Sequence, residues 1–199
     1  MPTLDQEFRP SETAVVVIEF QKTWTQGGIF AWLIRRNYRS RKVLANTRRL
    51  LDFARQRGVA VFQAPFIVDP SCRHTYRRLP WLPRLLKGFT AGTWKSEFTP
   101  GIYHPSDVVI KGRYGFDACR GSNLLSTLRQ SGINLIIFCG FTTDQCVART
   151  MKSLSREGFR CFLASDASAT IFRRQQKRVE ARFPSLPVAE LIRWMSRSG

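Results

Sequence analysis

"INLIIFCGFTTDQCVARTMKSLSREG", residues 133–158, sets an apolar run, a small polar turn and an amphipathic segment in succession. Residues 133–140 are almost continuously apolar, as a strand covered on both faces requires. Residues 144–158 predict a helix that stops at Gly158. In the turn between them, Thr143 or Asp144 is placed to cap that helix by accepting a hydrogen bond from its first amides. Cys146 then falls in the first helical turn, where free N–H groups favour a thiolate. The same amides are able to donate to an oxyanion on an attacked carbonyl. The plainer alternative is a cysteine that only fills a helix–sheet interface.

The same alternation extends outward along the chain. "AVVVIEF" (14–20), "VAVFQAPF" (59–66), "DVVIKG" (107–112) and "FRCFLASDA" (159–167) read as further strands. Between them, residues 40–58 carry apolar side chains at helical spacing and end at Gly58, and residues 121–132 form a shorter helix ending at Gly132. Strand, helix, strand in this order predicts an α/β fold: a parallel central sheet, right-handed crossovers and helices on both faces. Residues 22–40 and 67–106 show no clear period and are expected to be irregular.

With 199 residues, no repeat and no Gly/Ser linker, one domain spanning 1–199 is expected. The apolar runs are far shorter than the roughly 20 residues of a membrane span. The N-terminal stretch has acidic residues where a signal peptide carries basic ones, which predicts a cytoplasmic protein. Five cysteines at irregular spacing, with no C-x-x-C pair, suit a reducing compartment. Cys139 and Cys161 sit in apolar runs and read as inert core thiols. The formal charge of +18 favours anionic partners, or simply a well-solvated surface. The basic stretches lack the regular aromatic interleaving of a nucleic-acid platform, so nucleic acid is not expected as a partner.

In open parallel sheets the ligand crevice lies beyond the carboxyl ends of the strands. Glu19, Lys111 and the "TTDQC" turn all fall at such ends. A carboxylate at 19 is able to take the thiol proton and return it to a leaving amine. A cation at 111 or 113 would balance charge and keep Cys146 partly ionised.

The order "VVVIEFQKTW … VVIKGRYGF … IIFCGFTTDQCVARTM … EGFRCFLASDA", with "SDASAT" at 165–170, resembles the isochorismatase-like cysteine hydrolases over residues 13–172. That family includes nicotinamidases, carbamoylsarcosine and ureidoacrylate amidases, and isochorismatases. The resemblance implies a three-layer αβα fold and a triad of cysteine, acid and lysine. It carries the nucleophile to Cys146, the oxyanion-hole amides to Thr142 and Cys146, and a cis peptide to Phe141–Thr142. It also implies dimers or larger rings.

This sequence departs from the family at two of those positions. The strand-end aspartate is here Glu19, one methylene longer. The "K-x-R-Y" pattern puts the site cation at Lys111, whereas counting back from "GSNLL" puts it at Arg113. Residues 111 and 113 point to the same face of a strand, so the spacing alone leaves both open; Lys111 is the preferred register. Asp69 and His74 do not match the spacing of the nicotinamidase metal site, so neither metal nor cofactor is expected.

The leading functional expectation is a metal-independent hydrolase that cleaves an amide or carbamoyl C–N bond of a small molecule through a Cys146 thioester. Hydrolysis of an anionic vinyl ether, as by isochorismatases, is the second reading; a catalytically weakened or silent member acting as a binding protein, which Glu19 and an arginine at the cation position would favour, is the third. Trp24, Trp32, Trp94, Tyr114 and Phe141 are candidate flat walls for a planar substrate, or core side chains.

Overall fold

The computed structural model describes residues 7–69 and 88–197. Six strands form one parallel sheet in the order β3-β2-β1-β4-β5-β6. They are β1 (Thr13–Ile18), β2 (Ala60–Ala64), β3 (Val108–Val109), β4 (Leu135–Phe141), β5 (Arg160–Ala169) and β6 (Ser185–Leu186). The helices are α1 (Lys22–Thr25), α2 (Gly28–Ser40), α3 (Val43–Gln56), α4 (Leu124–Gln130), α5 (Ala148–Arg156), α6 (Arg173–Arg182) and α7 (Val188–Arg197). No helix of the described residues is long and apolar enough to cross a membrane.

Every residue of β1 and of β4 is buried, which is why their sequences are apolar without alternation. The period-2 geometry of a strand still divides them. Val15 and Val17 join a core with Leu50 and Leu51 of α3 and Leu191 of α7. Ala14, Val16 and Ile18 join a second core with Leu124 and Leu128 of α4 and Met151 and Leu154 of α5. The result is the expected three-layer αβα arrangement.

The order of strands reverses between β1 and β4: the chain winds outward one way to β3, then the other way to β6. A crevice opens at such a switch point, beyond the carboxyl ends of the two central strands. Glu19 leaves β1 there, and the Cys146 turn leaves β4 there. Gly140 makes this close approach of backbones feasible. A Cβ on it would lie 2.0 Å from the Ile18 carbonyl oxygen, and its φ of +113° is one that side-chain-bearing residues rarely adopt.

Two segments differ from expectation. Residues 28–40 are helical rather than irregular: α2 buries Ile34 and Asn37, and Asn37 Nδ2 donates to the carbonyls of Thr170 (2.7 Å) and Ile171 (3.1 Å). The third strand is only two residues long. At its start, Asp107 accepts from Arg55 Nε (3.0 Å), Arg55 Nη2 (2.7 Å) and Gln63 Nε2 (2.8 Å). Beyond Ile110 the chain leaves the sheet, and Gly112 has φ +85°. Strand alternation therefore stops before residues 111 and 113.

Candidate active site

Cys146 lies in a π turn, Thr143–Val147, that leads from β4 into α5. The Thr142 carbonyl accepts from the amides of Gln145 and Val147, each at 3.2 Å, so the turn is one residue wider than an α-helical one. The Phe141–Thr142 peptide is cis. Neither Thr143 nor Asp144 holds the turn's amides with its side chain among the described residues, contrary to the expectation from sequence. The Thr143 hydroxyl is buried without a hydrogen-bond partner among the described residues. Asp144 is drawn instead toward Thr170, whose hydroxyl donates to Asp144 Oδ1. The "SDASAT" stretch thus ends in the side chain that holds the cysteine turn.

Glu19 is 2% exposed and takes φ 52°, a left-handed conformation costly for a side-chain-bearing residue. The amide of Gln21 closes the turn by donating to the Glu19 carbonyl at 2.7 Å. Gln21 itself is pinned: Phe66 N–H donates to its Oε1 (2.9 Å), and its Nε2 donates to the carbonyls of Phe66 and Ser96.

The cation beside Glu19 is Arg113, not Lys111. Arg113 Nη2 donates to Glu19 Oε1, and both side chains are almost wholly buried. Lys111 is exposed, its backbone N–H held at 2.9 Å by Asn123 Oδ1. The positive φ of Gly112 lets the two side chains part. Arg113 also donates to the carbonyls of Gly115 (Nε, 2.8 Å), Ala64 (Nη1, 3.0 Å) and Phe116 (Nη2, 3.1 Å). These bonds use four of the five guanidinium N–H groups. A Lys ammonium has only three donors and would leave carbonyls of this cage unanswered.

Both charges act on the Cys146 thiol, by field and by side-chain hydrogen bonding. Burial pushes the thiol well above its ordinary value, Glu19 adds to the rise, and Arg113 opposes it. Desolvation and Glu19 thus act against the partial ionisation expected of Cys146, and Arg113 acts for it. Burial works to lower the Arg113 pKa, and Glu19 and Cys146 more than reverse that, so the guanidinium stays charged. Burial also drives Cys139 up to about 12 and Cys161 to about 11. Among the described cysteines, Cys146 alone has a cation holding it down.

Of the aromatic candidates, Trp24 and Phe141 are buried and lie in one group with Phe30 and Phe89. Trp24 Nε1 donates to Glu19 Oε2 at 3.2 Å, a contact that sequence reasoning did not foresee. A cavity of about 80 Å³, lined in part by Thr23, Gly28, Phe30, Gly88 and Lys95, adjoins this group. Trp94 is 47% exposed, with the Lys22 ammonium over its ring, and Trp32 is exposed beside Arg35. Tyr114 is half-buried, its ring against Gly121. Among the described residues, the ring contacts of Trp94 and Trp32 are with Lys22 and Arg35, not with Arg113. His74 and Cys72 lie outside those residues. Among the described residues, no three His, Cys, Asp or Glu side chains gather as a metal site would require.

Comparison with known proteins follows the same outline. The family profile for the isochorismatase domain matches residues 13–193. The ureidoacrylate amidohydrolase RutB of Rhizobium rhizogenes is 30% identical over 164 residues, covering 72% of this chain and 65% of that protein. This chain thus spans just under two thirds of that relative's length. The Agrobacterium fabrum protein of the same name is 30% identical, with 72% of this chain and 70% of that protein covered. A cysteine hydrolase from Pseudomonas syringae pv. phaseolicola superposes with a TM-score of 0.83 at 19% identity, over 100% of this chain and 99% of that one. N-carbamoylsarcosine amidase from Thermoplasma acidophilum superposes at 0.71 and 19% identity, over 89% and 96%. At these identities the two structures show a shared fold.

Proposed function

Given that this chain belongs to the isochorismatase family of hydrolases, we propose that it hydrolyses a C–N bond of a small amide or carbamoyl compound, with Cys146 as nucleophile. The observation that carries the reading is the meeting of Cys146, Glu19 and Arg113 beyond the ends of β4, β1 and β3. The ureidoacrylate amidohydrolases among its relatives support a ureide-like substrate.

In this mechanism Glu19 takes the thiol proton as Cys146 Sγ bonds to the carbonyl carbon. The electron pair of the C=O moves to oxygen, and the resulting oxyanion rests on the amides of Thr142 and Cys146. The C–N bond then breaks, and the leaving nitrogen carries off the proton held by Glu19. Water attacks the thioester, gives its proton to Glu19, and the proton returns to sulfur as the acid departs. The upward push of burial on the thiol suits this cycle, since general-base removal at the moment of attack needs no standing thiolate. Arg113, caged by backbone carbonyls, holds Glu19 in place.

A panel of N-carbamoyl amino acids, ureidoacrylate and simple primary amides tests the reading. Hydrolysis of at least one member, with an acid-quenched acyl adduct on Cys146 detected by mass spectrometry, is expected. Cys146→Ala should abolish both. Turnover above a few per cent of wild type in that variant would exclude Cys146 as nucleophile.

A further inference from the structure

We propose that Trp24 is the positioning residue for Glu19: its indole N–H fixes Oε2 while Arg113 fixes Oε1, so that the carboxylate plane is set toward Cys146. The inference rests on the reading of Glu19 as the proton acceptor, and it adds a group outside the triad.

A glutamate has one more rotatable bond than an aspartate, and a base must be held within about 0.5 Å and 10–20° of its working geometry. Holding one oxygen leaves the carboxylate free to turn about that contact. Holding both defines its plane. Arg113 supplies the first hold and Trp24 Nε1 the second, at 3.2 Å. Oε2 keeps a further lone pair for the thiol proton.

Trp24 is itself immobilised. It is 7% exposed, and its ring packs on Phe30 (5.0 Å between centroids), Phe89 (6.0 Å) and, nearly parallel, Phe141 (6.0 Å, 26°). Phe141 immediately precedes Thr142 in the turn that carries Cys146, so the indole bridges base and nucleophile segments. Phenylalanine at 24 would fill much of this space and offer no donor. Glu19 Oε2 would then be buried with that bond missing, and an orphaned buried acceptor is costly.

The test compares Trp24→Phe with a benzothienylalanine at position 24, which keeps the bicyclic shape and removes only the N–H. Using the best substrate of the panel above, both variants should lose about tenfold to a hundredfold in kcat. KM should move by less than about threefold, because substrate binding is not what the donor serves. An unchanged kcat, or a loss confined to KM, would overturn the assignment. A second readout does not depend on turnover: the isotope-labelled Trp24 indole N–H resonance, assigned by its absence in Trp24→Phe, should shift in Glu19→Gln. If it stays put in Glu19→Gln, Trp24 does not hold Glu19. Retained turnover in Cys146→Ala would instead exclude Cys146 as the nucleophile, leaving the resonance to decide the Trp24 contact alone.

Discussion

Arg113 and Glu19, 94 residues apart in the chain, form an ion pair whose side chains are 1% and 2% exposed. Such a pair resists removal of one partner more than removal of both, because the survivor is left charged and unsolvated. Arg113→Met is therefore expected to destabilise the protein by on the order of 3–5 kcal/mol. Arg113→Met combined with Glu19→Gln should recover much of that loss. Urea denaturation of the three variants checks this. A double variant no more stable than the single one would contradict it.

The same pair governs the cysteine. Arg113 lowers the Cys146 thiol and Glu19 raises it. Glu19→Gln should move the pH profile of Cys146 alkylation by iodoacetamide to lower pH, since it removes a negative neighbour and keeps the cation. Arg113→Met should move it to higher pH. Lys111→Met, altering an exposed side chain, should leave it in place. A shift on Lys111→Met with none on Arg113→Met would reverse the assignment of the cation.

Glu19→Asp is predicted to lower activity rather than restore it. The shorter stem pulls the carboxylate back from both Arg113 Nη2 and Trp24 Nε1, contacts built around glutamate. A loss of at least about tenfold in kcat is expected on the hydrolysed panel member. A gain would mean that the site tolerates glutamate poorly.

Thr170→Val removes the hydroxyl that donates to Asp144 while keeping the side chain's shape. The expected cost is about 1.5–3 kcal/mol, typical of a hydrogen bond to a charged group. Faster hydrogen exchange at Gln145 and Val147, whose amides close the Cys146 turn, should accompany it. Unchanged exchange there would show that Asp144 does not brace the turn.

Gly140→Ala should prevent β1 and β4 from pairing at their carboxyl ends. The new methyl would sit 2.0 Å from the Ile18 carbonyl oxygen, on a backbone at φ +113°. Poor recovery of folded protein, or a melting temperature well below wild type, is the expected result. A variant as stable as wild type would mean that the strand ends separate at little cost.

Much of this was legible in the sequence because burial on both sheet faces demands long apolar runs, as in β1 and β4. Amphipathic α3 was legible for the matching reason: Val43, Thr47, Leu50, Leu51 and Ala54 fall on one helical stripe. Helix α2 was missed, since it buries little beyond Ile34 and Asn37 and starts at Gly28 directly after a second glycine, Gly27. The choice between Lys111 and Arg113 depended on where β3 ends, and a two-residue edge strand leaves almost no pattern. The Trp24 contact had no sequence signal, because it requires the left-handed turn at Glu19 to bring residues five apart face to face.

The long interval between Glu19 and Arg113 has a consequence for how the molecule is made. During synthesis β1 and β2 emerge well before Arg113, so the strand that bears Glu19 is available to collapse while its carboxylate still needs water. Only when the ribosome has passed the 111–116 segment does the guanidinium arrive to replace that water. β4, the other central strand flanking β1, comes later still. A nascent chain arrested before residue 113 should therefore keep its β1 carboxyl end open and protease-sensitive, and the crevice should close only from the C-terminal half of the chain.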